Sequence, residues 1–182
     1  MKKELYNIIV LKLRIIVGWW MNNQSRQALW LALAGSIVLM IGMGYGRFAF
    51  TGVLPLMLNE GLLTLHEGNL AASANYAGYL VGALLLARVQ PGAATRLSII
   101  SAGLTIASLA LLAWVSSPWT IITLRAVAGA LSAITLIAGS LWLLEHMGHH
   151  HGAPLLYAGV GLGIFISAEG IALGQALSLR SE

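Results

Sequence analysis

Arginine residues placed in apolar sequence are the first candidates for chemistry in this chain. Arg47 lies in a run from Gln27 to Asn59 that contains no other charged residue. A bilayer core about 30 Å thick is crossed by about 20 apolar residues in a helix, so this run is long enough to span it. A guanidinium at the centre of such a helix costs at least about 2.5–3.5 kcal/mol on insertion scales, so Arg47 must face a cavity or a partner. This placement predicts a binding site or a transport pathway.

Four further residues are predicted to lie near the depth of Arg47. Arg125, Glu169 and Asn75 lie in three other apolar segments, each within about ten residues of the segment end that is predicted to face outside. Tyr79 follows Asn75 by one helical turn. Structural alternatives exist. An arginine can extend to the headgroups, Glu169 can form an ion pair with an arginine, and Asn75 can hydrogen-bond between helices. We predict that the five residues line a shared pathway for substrate or protons.

The composition identifies an integral membrane protein. Of 182 residues, 58% are hydrophobic and only 9% are charged, and the mean hydropathy is +0.84. Soluble domains carry about 25% charged residues, so this chain cannot cover a water-facing surface. The formal charge of +4 comes from basic residues concentrated before the first apolar segment, which is the positive-inside pattern and not a nucleic-acid patch. The expected partner is therefore the lipid bilayer and not nucleic acid.

Five apolar segments predict an all-α membrane fold with about five transmembrane helices. No alternation with a period of two favours a membrane β-barrel. The Lys and Arg distribution predicts a cytoplasmic N-terminus in the cell inner membrane, and an odd number of spans then puts the C-terminus outside. The abrupt polar end suggests a chain cut short. The predicted membrane domain is 28–182, with spans near 29–56, 69–88, 95–115, 119–144 and 153–177.

Residues 1–27 are predicted to form a cytoplasmic leader. The apolar part of this leader is only about 10–16 residues long and contains Lys12 and Arg14, which is too short and too charged to span a membrane. It is either an interfacial segment or an extension that precedes a true start at Met21.

Glycine spacing predicts close helix contacts. Pairs of small residues four apart let membrane helices approach closely, and Gly129 lies one turn after Arg125. The packing glycines are Gly42, Gly46, Gly78, Gly82, Gly129, Gly159 and Gly163. In the first segment, a period of 3.6 also places Met40, Gly44, Arg47 and Thr51 on one face.

Two other signals have structural interpretations. The histidines His146, His149, His150 and His151 are the best hint of a metal-dependent enzyme, but glycines interrupt them, and we interpret them as a solvated loop. Thr64 and Glu67 fit a capping box. Without Cys or Asp there is no thiolate site and no Ser-His-Asp set, so we expect neither an enzyme nor a bound metal or cofactor.

The segments GMGYGRFAFTGVLPLM (42–57) and NLAASANYAGYLVGALL (69–85), and more loosely YAGVGLGI (157–164), resemble the YbfB/YjiJ branch of the major facilitator superfamily. The resemblance implies a fold of twelve helices in two halves, of which this chain is an incomplete N-terminal six-helix half. It also implies that Arg125, in an Arg-x-x-x-Gly pattern with Gly129, is associated with proton coupling. The chain departs from the superfamily pattern: no acid lies between Gly82 and Arg96, and the glycine-rich motif from Gly159 to Gly163 lacks Pro. Glu169 matches no motif of the family, and the sequence contains no sixth span and no second half.

Together these features predict secondary active transport of a small solute by a truncated chain, with the proton coupling that the resemblance implies. A missing C-terminal half or self-association would complete it. The alternative is a non-transporting remnant of such a transporter, and a membrane-embedded metal-dependent enzyme is the third hypothesis.

Overall fold

The fold is a bundle of helices that run back and forth between short turns. The computed structural model describes the backbone of residues 23–178, so most of the leader 1–27 lies outside the described residues. The six α-helices in this range are α1 (Asn23–Leu39), α2 (Ala49–Asn59), α3 (Leu65–Leu86), α4 (Ala94–Leu112), α5 (Pro118–Ser140) and α6 (Ala153–Ser178). The prediction of an all-α fold is confirmed.

The first helical rod, residues 23–59, changes its winding in the middle. Met40–Phe48 form a π-helix that joins α1 to α2 without a break, and a shorter one, Leu141–His146, extends α5. π-helical winding is rare and is found frequently at functional sites. The longer π-helix contains three buried glycines and Arg47, so the predicted functional arginine lies on irregularly wound backbone.

Local sequence explains where the helices stop. At the end of α2, Leu62 N–H donates to Met57 O and Gly61 N–H donates to Leu58 O, which is a Schellman motif. Gly61 has a φ of 69°, a conformation that costs little only for glycine. α3 then begins at Thr64, whose side chain accepts from Glu67 N–H while the Glu67 carboxylate accepts from Thr64 N–H. The predicted capping box is confirmed.

Four stretches within the described range are long and apolar enough to cross a membrane: Arg26–Asn59, Pro91–Leu112, Pro118–His146 and His150–Leu177. α3 is not among them, because polar residues such as Asn69 and Asn75 lower its hydropathy. Its 22 residues nevertheless extend about 33 Å, the thickness of a bilayer core.

Two apolar clusters leave a polar layer between them. Phe50, Met57, Leu63, Ala71 and Ile121 form the cluster near one end of the bundle. At the other end, Ala32, Leu39, Leu143 and Leu156 form the second cluster. The π-helix Met40–Phe48 lies between these clusters along the first rod, and it packs against α4, α5 and α6. This middle layer positions the polar side chains of the candidate functional site.

Candidate functional site

Arg125 on α5 is the most deeply buried charged side chain in the described part of the chain, with only 3% of its surface exposed. Its Nη1 donates to Gly46 O and its Nη2 to Arg47 O, each at 3.1 Å. Its guanidinium carbon lies 4.4 Å from the centroid of the Phe50 ring. Arg125 therefore reaches across to the end of the π-helix and binds backbone there, whereas Nε is enclosed without a hydrogen-bond partner among the described residues.

Asn75 fixes the backbone that carries Arg125. Its side chain is 2% exposed, and Nδ2 donates to Arg125 O at 2.9 Å. In this position the amide joins α3 to α5, which is the interhelical hydrogen bond that the sequence offered as a structural alternative. An α-helical carbonyl can accept this additional bond because it has two lone pairs.

Glycines allow α3 and α5 to approach this closely. A Cβ on Gly78 would lie 2.7 Å from the carbonyl carbon of Ala126, and one on Gly129 would lie 2.8 Å from that of Asn75. Gly82 faces Ala130 in the same way. A side chain at any of these positions would push the two backbones apart, so the glycines set the helix separation that the Asn75 hydrogen bond requires.

The remaining packing glycines lie around the first rod. Gly42 faces Thr135 and Gly46 faces Thr105, so both approach the α4–α5 side of the bundle. On the other side, Gly159 faces the Ser36 backbone and Gly163 faces Met40 and Gly44. The π-helix is thus held between α6 and the α4–α5 pair by contacts that leave no room for a Cβ.

Arg47 lies against aromatic rings. Its guanidinium carbon is 4.4 Å from the centroid of Tyr79, 4.9 Å from that of Tyr76 and 5.7 Å from that of Phe48, all within the range of cation–π interactions. The side chain is half-buried. Throughout residues 26–177 it makes no hydrogen bond and no ion pair, so its N–H donors remain unsatisfied by protein groups.

The predicted face of Met40, Gly44, Arg47 and Thr51 is correct for Met40 and Gly44, which both contact Gly163, but wrong for Arg47. Gly44 packs against Gly163 of α6, whereas the Arg47 side chain contacts tyrosines of α3 and Thr51 is exposed. The prediction used the period of 3.6 residues per turn, but hydrogen bonds in a π-helix connect residues five apart and rotate successive side chains differently.

Glu169 is exposed on α6. Within the described ranges it forms no ion pair with Arg47 or Arg125, so the structural alternative of such a pair is wrong there. The buried residues of α6 include Leu156, Gly163 and Ser167, which face the first rod, whereas Glu169 is directed away from the bundle. The structure brings Arg47, Arg125, Asn75 and Tyr79 together but does not bring Glu169 to them.

Buried hydroxyl groups complete the polar layer beside Arg125. Ser132 Oγ donates to Gly42 O at 2.7 Å or to Ala128 O at 2.8 Å. Thr135 Oγ1 contacts Ser101 Oγ at 2.8 Å. These hydroxyls satisfy each other and nearby carbonyls, so they stabilise the packing of α4, α5 and the first rod without offering free donors to a ligand.

Sequence reasoning missed Phe50 and Tyr76. Phe50 is buried at 3% exposure under the Arg125 guanidinium, and Tyr76 is 61% exposed beside Arg47. Tyr76 could have been found because it precedes Tyr79 by three residues and so shares its helical face. The role of Phe50 had no local signal, since its arginine partner lies on another helix.

The histidines of the loop 146–151 are not gathered with other ligand-type side chains in the described part of the chain. Among residues 26–177, no group of three or more His, Cys, Asp or Glu is placed to hold a metal ion. His149 packs on Gly152, and His150 and His151 are exposed.

Comparison with known protein families identifies a match over most of the chain. A family model described as "Uncharacterised MFS-type transporter YbfB" matches residues 39–182, which include the π-helix and every helix after it. No match was found among curated proteins or among solved structures.

Proposed function

The chain belongs to the family of the MFS-type transporter YbfB, and on this premise we propose that it acts in proton-coupled secondary transport of a small solute. The family membership supports transport in general. What we propose beyond that is the kind of solute, the coupling to protons and the residues that carry out transport.

One observation carries the proposal. Arg125 is buried in the middle of the bundle, its two Nη groups donate to carbonyls of the π-helix, and its Nε has no partner within the part of the chain that the structure describes. A buried guanidinium is costly, and a single apolar side chain of similar size would fill the same volume without that cost, which favours a functional role for Arg125. It also couples α5 to the one segment of the first rod whose winding is irregular, which is where a helix can rearrange when a binding site opens and closes.

We propose that Arg47 and Arg125 face the pathway, with Asn75 and Tyr79 on the opposing helix. A proton-carrying acid, either on the solute or elsewhere in the transporter, would sense the positive field of the two arginines. Glu169 is a candidate for this acid only if another part of the transporter covers the exposed face of α6.

The membrane arrangement that we propose has five crossings, including α3, with the N-terminus in the cytoplasm of the cell inner membrane. Alternating access requires two halves that move against one another around a site between them. The five helices would form one of these halves in part, and the other would come from a C-terminal half or from a second copy of the chain.

The test uses the gene at its own locus, so that every part of the transporter is present as the cell makes it. Right-side-out membrane vesicles from the wild type and from a deletion strain would be given an imposed pH gradient. Uptake and efflux would be measured with radiolabelled glucose, alanine, benzoate and tetraphenylphosphonium, which represent neutral, zwitterionic, anionic and cationic solutes. We expect the wild type to move at least one class in a way that the deletion strain does not, and a protonophore should abolish that movement.

Substitutions then test the site. Arg125→Ala should abolish transport, and Arg125→Lys should restore it only in part, because an ammonium cannot bind two carbonyls with the fixed geometry of a guanidinium. Arg88→Ala is the matched control, since Arg88 is exposed near the end of α3. Equal membrane abundance would be verified by immunoblot. Full transport by Arg125→Ala, or no difference between wild type and deletion for all four classes, would contradict the proposal.

A further inference from the structure

Arg47 has binding capacity that no described residue uses. A guanidinium carries five N–H donors, and the contacts of Arg47 within the described chain are with the rings of Phe48, Tyr76 and Tyr79. Stacking on rings occupies the face of a guanidinium and leaves the N–H edge available. The hydroxyl groups of Tyr76 and Tyr79 also lack hydrogen-bond partners within residues 26–177.

The charge around Arg47 is not balanced by any described residue. Arg125 donates to the carbonyl of Arg47 itself at 3.1 Å, so two guanidinium groups are held in one neighbourhood. No carboxylate forms an ion pair with either of them in the described part of the chain. Two unpaired cations inside a membrane protein are strongly unfavourable. An anion bound beside the two guanidinium groups would reduce this free-energy cost.

The two arginines are not equally available to that anion. Arg125 already uses Nη1 and Nη2 on backbone carbonyls, and its side chain is 3% exposed. Arg47 is half-buried and has all its donors unused, and the neighbouring Tyr76 is 61% exposed. The accessible donor edge is therefore that of Arg47, and one guanidinium neutralises one negative charge.

We propose that Arg47, Tyr76 and Tyr79 form a subsite for the carboxylate of a small organic anion with a flat or apolar body. A carboxylate is planar and accepts two parallel N–H bonds from a guanidinium. The tyrosine rings provide apolar surface for the rest of the molecule. Phosphate fits less well, because it has no apolar body to place on the rings. This inference rests on the proposed transport function and names the substrate class of that site.

Arginine modification provides a direct test in the unaltered 182-residue protein. The chain in native membranes or lipid nanodiscs would be treated with phenylglyoxal, and the modification rate of each arginine would be followed by mass spectrometry. Arg88 is exposed and serves as the reactive internal control, while the buried Arg125 should react slowly. The probes would be benzoate, its neutral analogue benzamide, and inorganic phosphate.

Benzoate should slow the modification of Arg47 about tenfold at about ten times its dissociation constant, because only unoccupied sites react. Benzamide should have no effect at the same concentration, and Arg88 should be unaffected by every probe. Tyr79→Leu should raise the half-protecting benzoate concentration about two- to tenfold, as expected for the loss of an aromatic contact. Tyr157→Leu is the matched control, because Tyr157 pairs with Ser140 away from the arginines.

Four results would overturn the inference: no protection of Arg47 by benzoate, equal protection by benzamide, equal protection by phosphate, or an Arg47 that does not react even without a probe. If these occur while the vesicle assay still shows transport, the carboxylate subsite alone is wrong. If the vesicle assay fails as well, the proposed function is wrong.

Discussion

The close approach of α3 and α5 makes a quantitative prediction about Gly78→Ala. Alanine is favoured over glycine inside a helix by up to about 1 kcal/mol, so the substitution would stabilise a helix with free space. At Gly78, however, the added Cβ would lie 2.7 Å from the carbonyl carbon of Ala126, where ordinary contacts begin at 3.4 Å, and the carbonyl oxygen is closer still. The helices must therefore separate by at least about 0.7 Å, and overpacking of this kind costs about 1–3 kcal/mol.

The same displacement reaches the candidate site. The hydrogen bond from Asn75 to Arg125 O is 2.9 Å long and crosses this interface one turn away. A separation of about 0.7 Å would stretch it beyond the usual limit for a hydrogen bond. Gly78→Ala should thus lower both thermal stability and transport, although residue 78 contacts neither guanidinium.

Fluorescence-detected size-exclusion after heating measures the effect. A loss of about 2 kcal/mol should lower the midpoint about 4–8 °C for a chain of this length. The matched control is Gly161→Ala on α6, because a Cβ there meets nothing within 4 Å. Its midpoint should be unchanged or higher.

A double substitution sharpens the test. Gly129→Ala should be similarly destabilising, since its Cβ would approach the Asn75 carbonyl. The combination with Gly78→Ala should cost less than the sum of the two, because one separation of the helices relieves both overlaps. If Gly78→Ala were as stable as Gly161→Ala, the close packing of α3 and α5 would be refuted.

Three further outcomes are expected. Single cysteines introduced at Ser117 and Gln90 can be labelled without background, because the chain has no cysteine. An impermeant maleimide applied to intact cells should label Ser117→Cys but not Gln90→Cys. The opposite labelling pattern would reverse the proposed orientation. Hydrogen bonds from the backbone and side chain of Thr64 lower the pKa of Glu67, so its capping contribution is complete above the ordinary carboxyl pKa and is lost as pH falls through the lowered value. The midpoint difference between wild type and Glu67→Gln should therefore be largest at neutral pH and shrink on acidification, and a pH-independent difference would contradict this assignment. Arg125→Met should preserve the fold better than Arg125→Ala in the heating assay while abolishing transport equally, which would separate packing from charge.

The sequence by itself determined the helical fold and where α3 begins. Long apolar segments can satisfy their backbone groups in a bilayer only as helices, so composition and hydropathy were sufficient. The Thr64–Glu67 capping box was predictable because all its atoms lie within one turn of the chain. The resemblance in residues 42–57 and 69–85 likewise predicted the family, which the match over 39–182 confirmed.

Tertiary structure decided how the polar residues are arranged. Helical periodicity assigns side chains to faces only while the winding is α-helical, and it failed at Arg47 because the π-helix Met40–Phe48 rotates the chain. The acceptors of Arg125 are backbone carbonyls 78 and 79 residues away, and carbonyls leave no signal in a sequence. Glu169 has the same intramembrane character as the arginines, yet the packing of α6 directs it away from them, because helix rotation is set by which face meets its neighbours.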